Sequence, residues 1–126
     1  LNNNYPFYKE LKSVVSKTIG IEGSLGNILK KIKGVKLCFI YGSYASGKER
    51  PGSDVDLFIV GSADIDLLLE KINKLEKEIG REINYRLFSE TDFKKAIKEK
   101  NSFIINILKN KKIFLIGNEK DIGKFN

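Results

Sequence analysis

Asp54 and Asp56 are the residues of this sequence whose type and spacing could do chemistry. Two carboxylates two residues apart on an extended segment point to the same face, about 6.5–7 Å apart along the backbone. Like charges held together in this way are costly unless a cation offsets them. An all-oxygen ligand set suits Mg²⁺ or Mn²⁺, which also bind substrate phosphates and keep some of their waters. Two such ions about 3.5–4 Å apart stabilise the attacking and leaving oxygens of an in-line phosphoryl displacement. An aspartate pair at the start of a strand is by itself an ordinary turn feature, so the preceding residues decide its meaning.

Those residues are Gly42-Ser-Tyr-Ala-Ser-Gly47, with Ser53 directly before the pair. Gly42 and Gly47 permit close backbone approach and unusual dihedrals. Ser43 offers a hydroxyl and an amide N–H, and successive N–H groups in such a turn can cradle an anion. A phosphate cradle followed by a carboxylate pair is an arrangement for a triphosphate and its metal. The same glycines with Lys48 match the start of a Walker A loop, but Glu49 stands where that design needs a hydroxyl beside Mg²⁺. The stretch Arg50-Pro-Gly-Ser53 also leads into a strand, whereas a Walker loop opens a helix, so the P-loop reading is rejected.

The elements that must position this stretch are legible on both sides. Apolar residues at 36–41 and 55–60 read as two buried strands flanking it. Asp64 is placed to cap a helix whose Ile65, Leu68, Ile72, Leu75 and Ile79 fall at steps of three and four, ending at Gly80. Residues 82–88 alternate, with Ile83, Tyr85 and Leu87 on one face and Glu82, Asn84 and Arg86 on the other, which predicts a half-exposed strand. Ser89-Glu-Thr-Asp92 resembles a capping box for a short helix through Ile97. A further helix over roughly 102–108 and a last strand over 112–116 complete the chain. Upstream, Pro6 to Ile19 and Ile21 to Ile32 carry helical stripes, the second weakened by Gly23 and Gly26. The expected class is α/β (α+β), a small mixed sheet flanked by helices, with residues 1–34 as N-terminal helices packing on a domain at 35–126.

Composition narrows the chemistry. With 126 residues, 41% hydrophobic and 31% charged, the chain has the size and balance of one water-soluble domain. No apolar run is long enough for a membrane span, and no secretory signal opens it, so no membrane association and a cytoplasmic setting are expected. The absence of histidine removes His-based acid–base catalysis, and the single Cys38 lies in a predicted core strand. The net charge of +7 is largely lysine. Between 94 and 112, seven lysines face only Glu99, which reads as a solvated helical surface or as a field that attracts phosphate or nucleic acid.

Gly42-Ser43-Tyr44-Ala45-Ser46-Gly47, then Ser53-Asp54-Val55-Asp56-Leu57, resembles the signature of the minimal nucleotidyltransferases, the superfamily that includes DNA polymerase beta and kanamycin nucleotidyltransferase. Tyr5 to Leu11, Lys17 to Gly20, Gly80 to Tyr85 and Ile113 to Gly117 resemble the subgroup that follows a winged helix-turn-helix. The resemblance implies that Gly42 and Ser43, with Gly47 and Ser53, hold the nucleotide phosphates and that Asp54 and Asp56 bind metal. It implies attack of an acceptor hydroxyl on the α-phosphate of a nucleoside triphosphate with release of pyrophosphate, the acceptor being a protein or a small molecule. It also implies that a DNA-binding domain precedes this chain, which opens on Leu1. Family members add a third carboxylate in a segment where this chain has Gly80-Arg81-Glu82-Ile83-Asn84. Asn84 can ligate metal or hydrogen-bond, but cannot take the acceptor's proton. Glu82 on the same face is the substitute acid, and Arg86 further along is a candidate for phosphate. The alternative function is a catalytically impaired nucleotide-binding regulatory module, or an antitoxin-like one with a small helical partner.

Overall fold

The computed structural model describes residues 20–47 and 54–125. The expected helix over Pro6–Ile19 and residues 48–53, Ser53 included, lie outside the described residues. The elements are helix α1 (20–30), β1 (Val35–Tyr41), α2 (Gly42–Ser46), β2 (Val55–Gly61), α3 (Ile65–Ile79), β3 (Ile83–Phe88), α4 (Glu90–Lys98), α5 (Ser102–Lys109), β4 (Ile113–Ile116) and α6 (Glu119–Gly123).

The strands form one mixed sheet in the order β3-β2-β1-β4. Strand β1 runs antiparallel to β2 and also pairs antiparallel with β4. A crossover through α3 then makes β3 parallel to β2, with Asp56 opposite Asn84 and Phe58 opposite Arg86. Such a crossover needs a connection of roughly a dozen residues or more, usually helical, and α3 supplies 15. Asp64 Oδ1 accepts from the Leu67 N–H at 3.2 Å at its start, and Gly80 ends it in the left-handed conformation at φ 68°.

Helices cover both faces of the sheet. Leu25 and Leu29 of α1 and Leu68, Ile72 and Leu75 of α3 pack with Cys38, Ile40, Leu57 and Ile59 on one side. That burial holds α1 together despite its glycines. On the other face Phe39, Phe58, Phe93, Ile104 and Ile107 form a second core with α4, α5 and α6. Phe58 stacks between Phe39 and Phe88, with ring centroids 5.1 Å away on either side. Full burial of such a side chain is worth about 1.5–3 kcal/mol. Cys38 is free and fully buried in the first core, which pushes its thiol pKa up by desolvation.

Four local expectations are corrected. Residues 42–46 are a one-turn helix and not an open turn, closed by Gly47 at φ 77°. Ile65, assigned to the apolar stripe of α3, is the first residue of that helix and is 54% exposed. Helix α6 has no counterpart in the sequence reading, although Asn118 and Asp121 form a full capping box for it. Lys112, counted with the surface lysines, has a side chain only 3% exposed. Its Nζ donates to the carbonyls of Leu108 and Asn110 at 2.8 and 2.9 Å and pairs with Glu119 at 3.1 Å, so it closes the C-terminus of α5. Among the described residues, no helix is long and apolar enough to cross a membrane.

Candidate nucleotide and metal site

The site lies where the C-terminal end of β1 meets the N-terminal ends of β2 and β3. Asp54 is exposed and immediately precedes β2, while Asp56 is half-buried within it. The parallel register sets Asn84 beside Asp56. The Asn84 side-chain Nδ2 donates to Asp54 Oδ2 at 3.1 Å, and the same side chain hydrogen-bonds the Asp56 carboxylate. One amide therefore links both acids. Asp56 is held above the ordinary carboxylate range, first by burial, with Asp54 adding repulsion and the Asn84 hydrogen bond opposing both.

Gly42 is required by this packing. It sits at φ 75°, and a Cβ built on it would lie 2.5 Å from Asp56 Oδ2. Only glycine brings the start of α2 this close to the carboxylate. Its neighbour Ser43 is exposed, and no side chain among the described residues caps the N-terminus of α2. Gly47 shapes the end of the same turn of helix, where Ser46 Oγ donates to the Ser43 carbonyl at 3.2 Å.

The two remaining candidates sit differently. The Glu82 carbonyl accepts from the Val55 N–H at 2.9 Å, tying β3 to β2, while its side chain is exposed. Among the described residues no group of three or more His, Cys, Asp or Glu side chains is placed to hold a metal ion, so Glu82 is not gathered with the aspartate pair. Arg86 is drawn to the site's edge: its guanidinium lies 4.4 Å from the centre of the Phe103 ring and hydrogen-bonds the Tyr41 side chain. Tyr41, opposite Asp56 in the β1–β2 register, was not singled out from the sequence. Its hydroxyl pKa is raised, mainly by burial and then by Asp56, with Arg86 opposing. A signal for it existed, since the last residue of a strand facing an acid at the start of its antiparallel neighbour must share that acid's surroundings.

Two carboxylates, one amide and an exposed helix start fit a hard divalent cation, which protein sites commonly hold by one or two carboxylates with substrate phosphates completing the shell. The chain belongs to the family described as polymerase beta, nucleotidyltransferase, whose pattern matches residues 24–120. A relative from Methanocaldococcus jannaschii, whose name assigns it provisionally to the protein adenylyltransferases, is 39% identical over 84 residues, covering 65% of this chain and 82% of its own. Solved structures with the same fold include a toxin–antitoxin complex with AMP-PNP, at a TM-score of 0.57 and 19% identity, covering 82% of this chain and 79% of that one. Another is the complex of a tri-AMPylated Shewanella oneidensis HEPN toxin with its MNT antitoxin, at 0.53 and 16% identity, covering 86% and 79%.

Proposed function

We propose that this chain binds ATP with Mg²⁺ (or Mn²⁺) at Asp54 and Asp56 and transfers the adenylyl group to a hydroxyl of a protein acceptor. The observation that carries the reading is the contact enforced by Gly42, which brings the exposed start of α2 against the Asp56 carboxylate. Phosphate oxygens accepting from the Gly42 and Ser43 N–H groups and the Ser43 hydroxyl would then lie beside the metal ligands. Asp54 and Asp56 would hold the cation, with the Asn84 side-chain oxygen as a third ligand once its amide turns away from Asp54. When bound, the cation supplies charge neutralisation of the triphosphate. In the reaction the acceptor oxygen bonds to the α-phosphorus, the bond to the β-phosphate oxygen breaks, and pyrophosphate leaves. The acceptor's proton goes to an aspartate or to water, because Asn84 cannot take it. The provisional name of the Methanocaldococcus relative and the AMP-PNP and AMPylated complexes of structural neighbours support adenylyl transfer to protein.

A second reading is favoured by one observation, the Asn84 amide that links both acids. A site lacking a third carboxylate suits a nucleotide-binding regulatory or antitoxin-like module that does not turn over. Incubation with α-labelled ATP, Mg²⁺ and candidate protein acceptors separates the two. Label on protein with matching pyrophosphate, lost in Asp54→Asn and Asp56→Asn, supports transfer. Tight ATP binding with neither product selects the second reading, and no Mg²⁺-dependent ATP binding at all would sink both.

A further inference from the structure

Away from the aspartate pair, helix α4 and Phe125, just past α6, border a cavity of about 610 Å³. Ile97 and Phe125 give it apolar walls, and Lys94, Lys95 and Lys98 complete its lining. All three lysines are exposed, and none is ion-paired among the described residues. Glu90 and Glu99 stand at the four-residue spacing that would let them pair with Lys94 and Lys95 along α4, yet no such bridge forms among the described residues. Lys94 and Lys98, at that same spacing, repel each other within the helix.

Helix α3 presents the opposite pattern on the other face of the sheet. Its Ile65 and Leu69 are large apolar side chains left exposed one helical turn apart. Beside them Asp66 and Glu70, also exposed, repeat the four-residue spacing and pair with no cation among the described residues. The helix dipole accounts for Asp66 in the first turn of α3 and for Lys98 in the last turn of α4, but not for Glu70 or Lys94. Two like-charge pairs that each weaken their own helix become favourable when set against each other. Ile65 and Leu69 would then have an apolar cavity to enter. Helix α3 packs on the first core and α4 on the second, so the two surfaces of one copy face apart. Residues 1–19, with Lys9, Lys12 and Lys17 against Glu10, repeat the charge of the cavity.

We propose that the exposed strip of α3 docks into the α4 cavity of a second copy of this chain, a head-to-tail contact between two different patches. Asp66 and Glu70 meet Lys94 and Lys98, and Ile65 and Leu69 cover Ile97 and Phe125. The test is sedimentation equilibrium on the full chain at about 0.15 M salt, where charges beyond about 8 Å are screened and the net charge of +7 does not mask a contact. The average mass of the wild type is expected to rise between about 10 μM and 1 mM, the range of a small interface. Lys94→Glu/Lys98→Glu and Asp66→Lys/Glu70→Lys, each alone, should associate at least about 10-fold more weakly, because like charges then meet. Mixed together they restore opposite charges at the contact and should associate again, which also shows that both are folded. Glu70→Lys alone, which spares the first turn of α3, should give the same loss and the same recovery on a smaller scale. A monomeric wild type, association unchanged in either variant, or folded variants that stay monomeric when mixed would overturn the proposal. A monomeric wild type that binds poly-glutamate or a short DNA duplex through Lys94 and Lys98 overturns it as well, and gives the cavity to another acidic partner.

Discussion

The chain makes the same local construction twice, and the two copies differ in what they leave unsatisfied. At the end of β1, Gly42 at positive φ leads into the short helix α2 with an aspartate pressed against it. At the end of β4, Gly117 at φ 82° leads into α6, and a Cβ there would lie 2.8 Å from Asp121 Oδ2. In the second copy the aspartate is consumed by the fold: Asp121 Oδ2 accepts from the Asn118 N–H at 2.8 Å, and Lys124 pairs with Asp121 at 3.0 Å. Its carboxyl is held below the ordinary range, first by Lys124 and then by the Asn118 N–H. In the first copy Asp56 accepts no backbone N–H of α2 among the described residues, pairs with no described cation, and is held above the ordinary range. A carboxylate used for stability acquires donors and a positive charge from its own chain. Asp56 has only an amide, and under the proposed function the positive charge it lacks is the one a divalent cation would bring.

The largest expected effect comes from breaking the first copy. Asp56→Asn should lower Mg²⁺-dependent triphosphate affinity by 100-fold or more, on the order of the loss of one charged metal ligand, as read by titration calorimetry. Asp121→Asn, a change of the same chemistry in the second copy, should leave that affinity unmoved. Next in size is Asn84→Asp, which replaces the linking amide by a third acid. It should tighten Mn²⁺ binding by about 10-fold through the added ligand charge. The same substitution should lower the melting temperature in chelator, because three carboxylates then face each other with no donor between them. Tighter metal binding with no metal-free destabilisation would show that the amide does not link the acids in solution.

The two copies were unequally legible in the sequence, for physical reasons. Gly42 and the aspartates stand out because glycine, serine and paired acids between two apolar runs violate the surrounding pattern. Helix α3 was equally plain, since fifteen residues repeat one period between a capping aspartate and a terminal glycine. The α6 copy was missed because five residues hold too few periods to register, although Asn118 and Asp121 carry a cap signal three residues apart. Lys112 was misread because a lysine's charge says nothing of the carbonyls that fold around it. Tyr41, Phe103 and Arg86 come together only through strand register and the docking of α5, which no local pattern encodes.

A smaller effect is expected from the second copy itself. Asn118 Oδ1 accepts from the Lys120 N–H at 2.9 Å at the start of α6. Asn118→Ala removes this cap and should cost about 1 kcal/mol in denaturant unfolding. Ile122 and Phe125 would still anchor α6 against Phe93, so the loss is not expected to spread to the site. Triphosphate binding reduced in this variant would mean that the two copies communicate.

The finest test reads the opposite pKa shifts directly. Because the folded state raises the Asp56 pKa, the native protein binds more protons than the unfolded chain between the unfolded value, about 3.9, and the raised folded one. The stabilising contribution of protonated Asp56 is fully present below that window and is lost as pH rises through the folded pKa. Asp56→Asn should therefore melt higher than the wild type at neutral pH without divalent metal, by about 2 °C given the partial exposure of the group, and the gain should vanish toward pH 3. Asp121 has the reverse sign: its folded pKa is lowered, so its contribution is present above the unfolded value and lost as pH falls through the folded one. Asp121→Asn should accordingly melt lower at neutral pH and converge with the wild type in acid. Adding Mn²⁺ should raise the melting temperature of the wild type and of Asp121→Asn but not of Asp56→Asn. If both variants shifted in the same direction, the contrast between a carboxylate left for a ligand and one consumed by the fold would not hold.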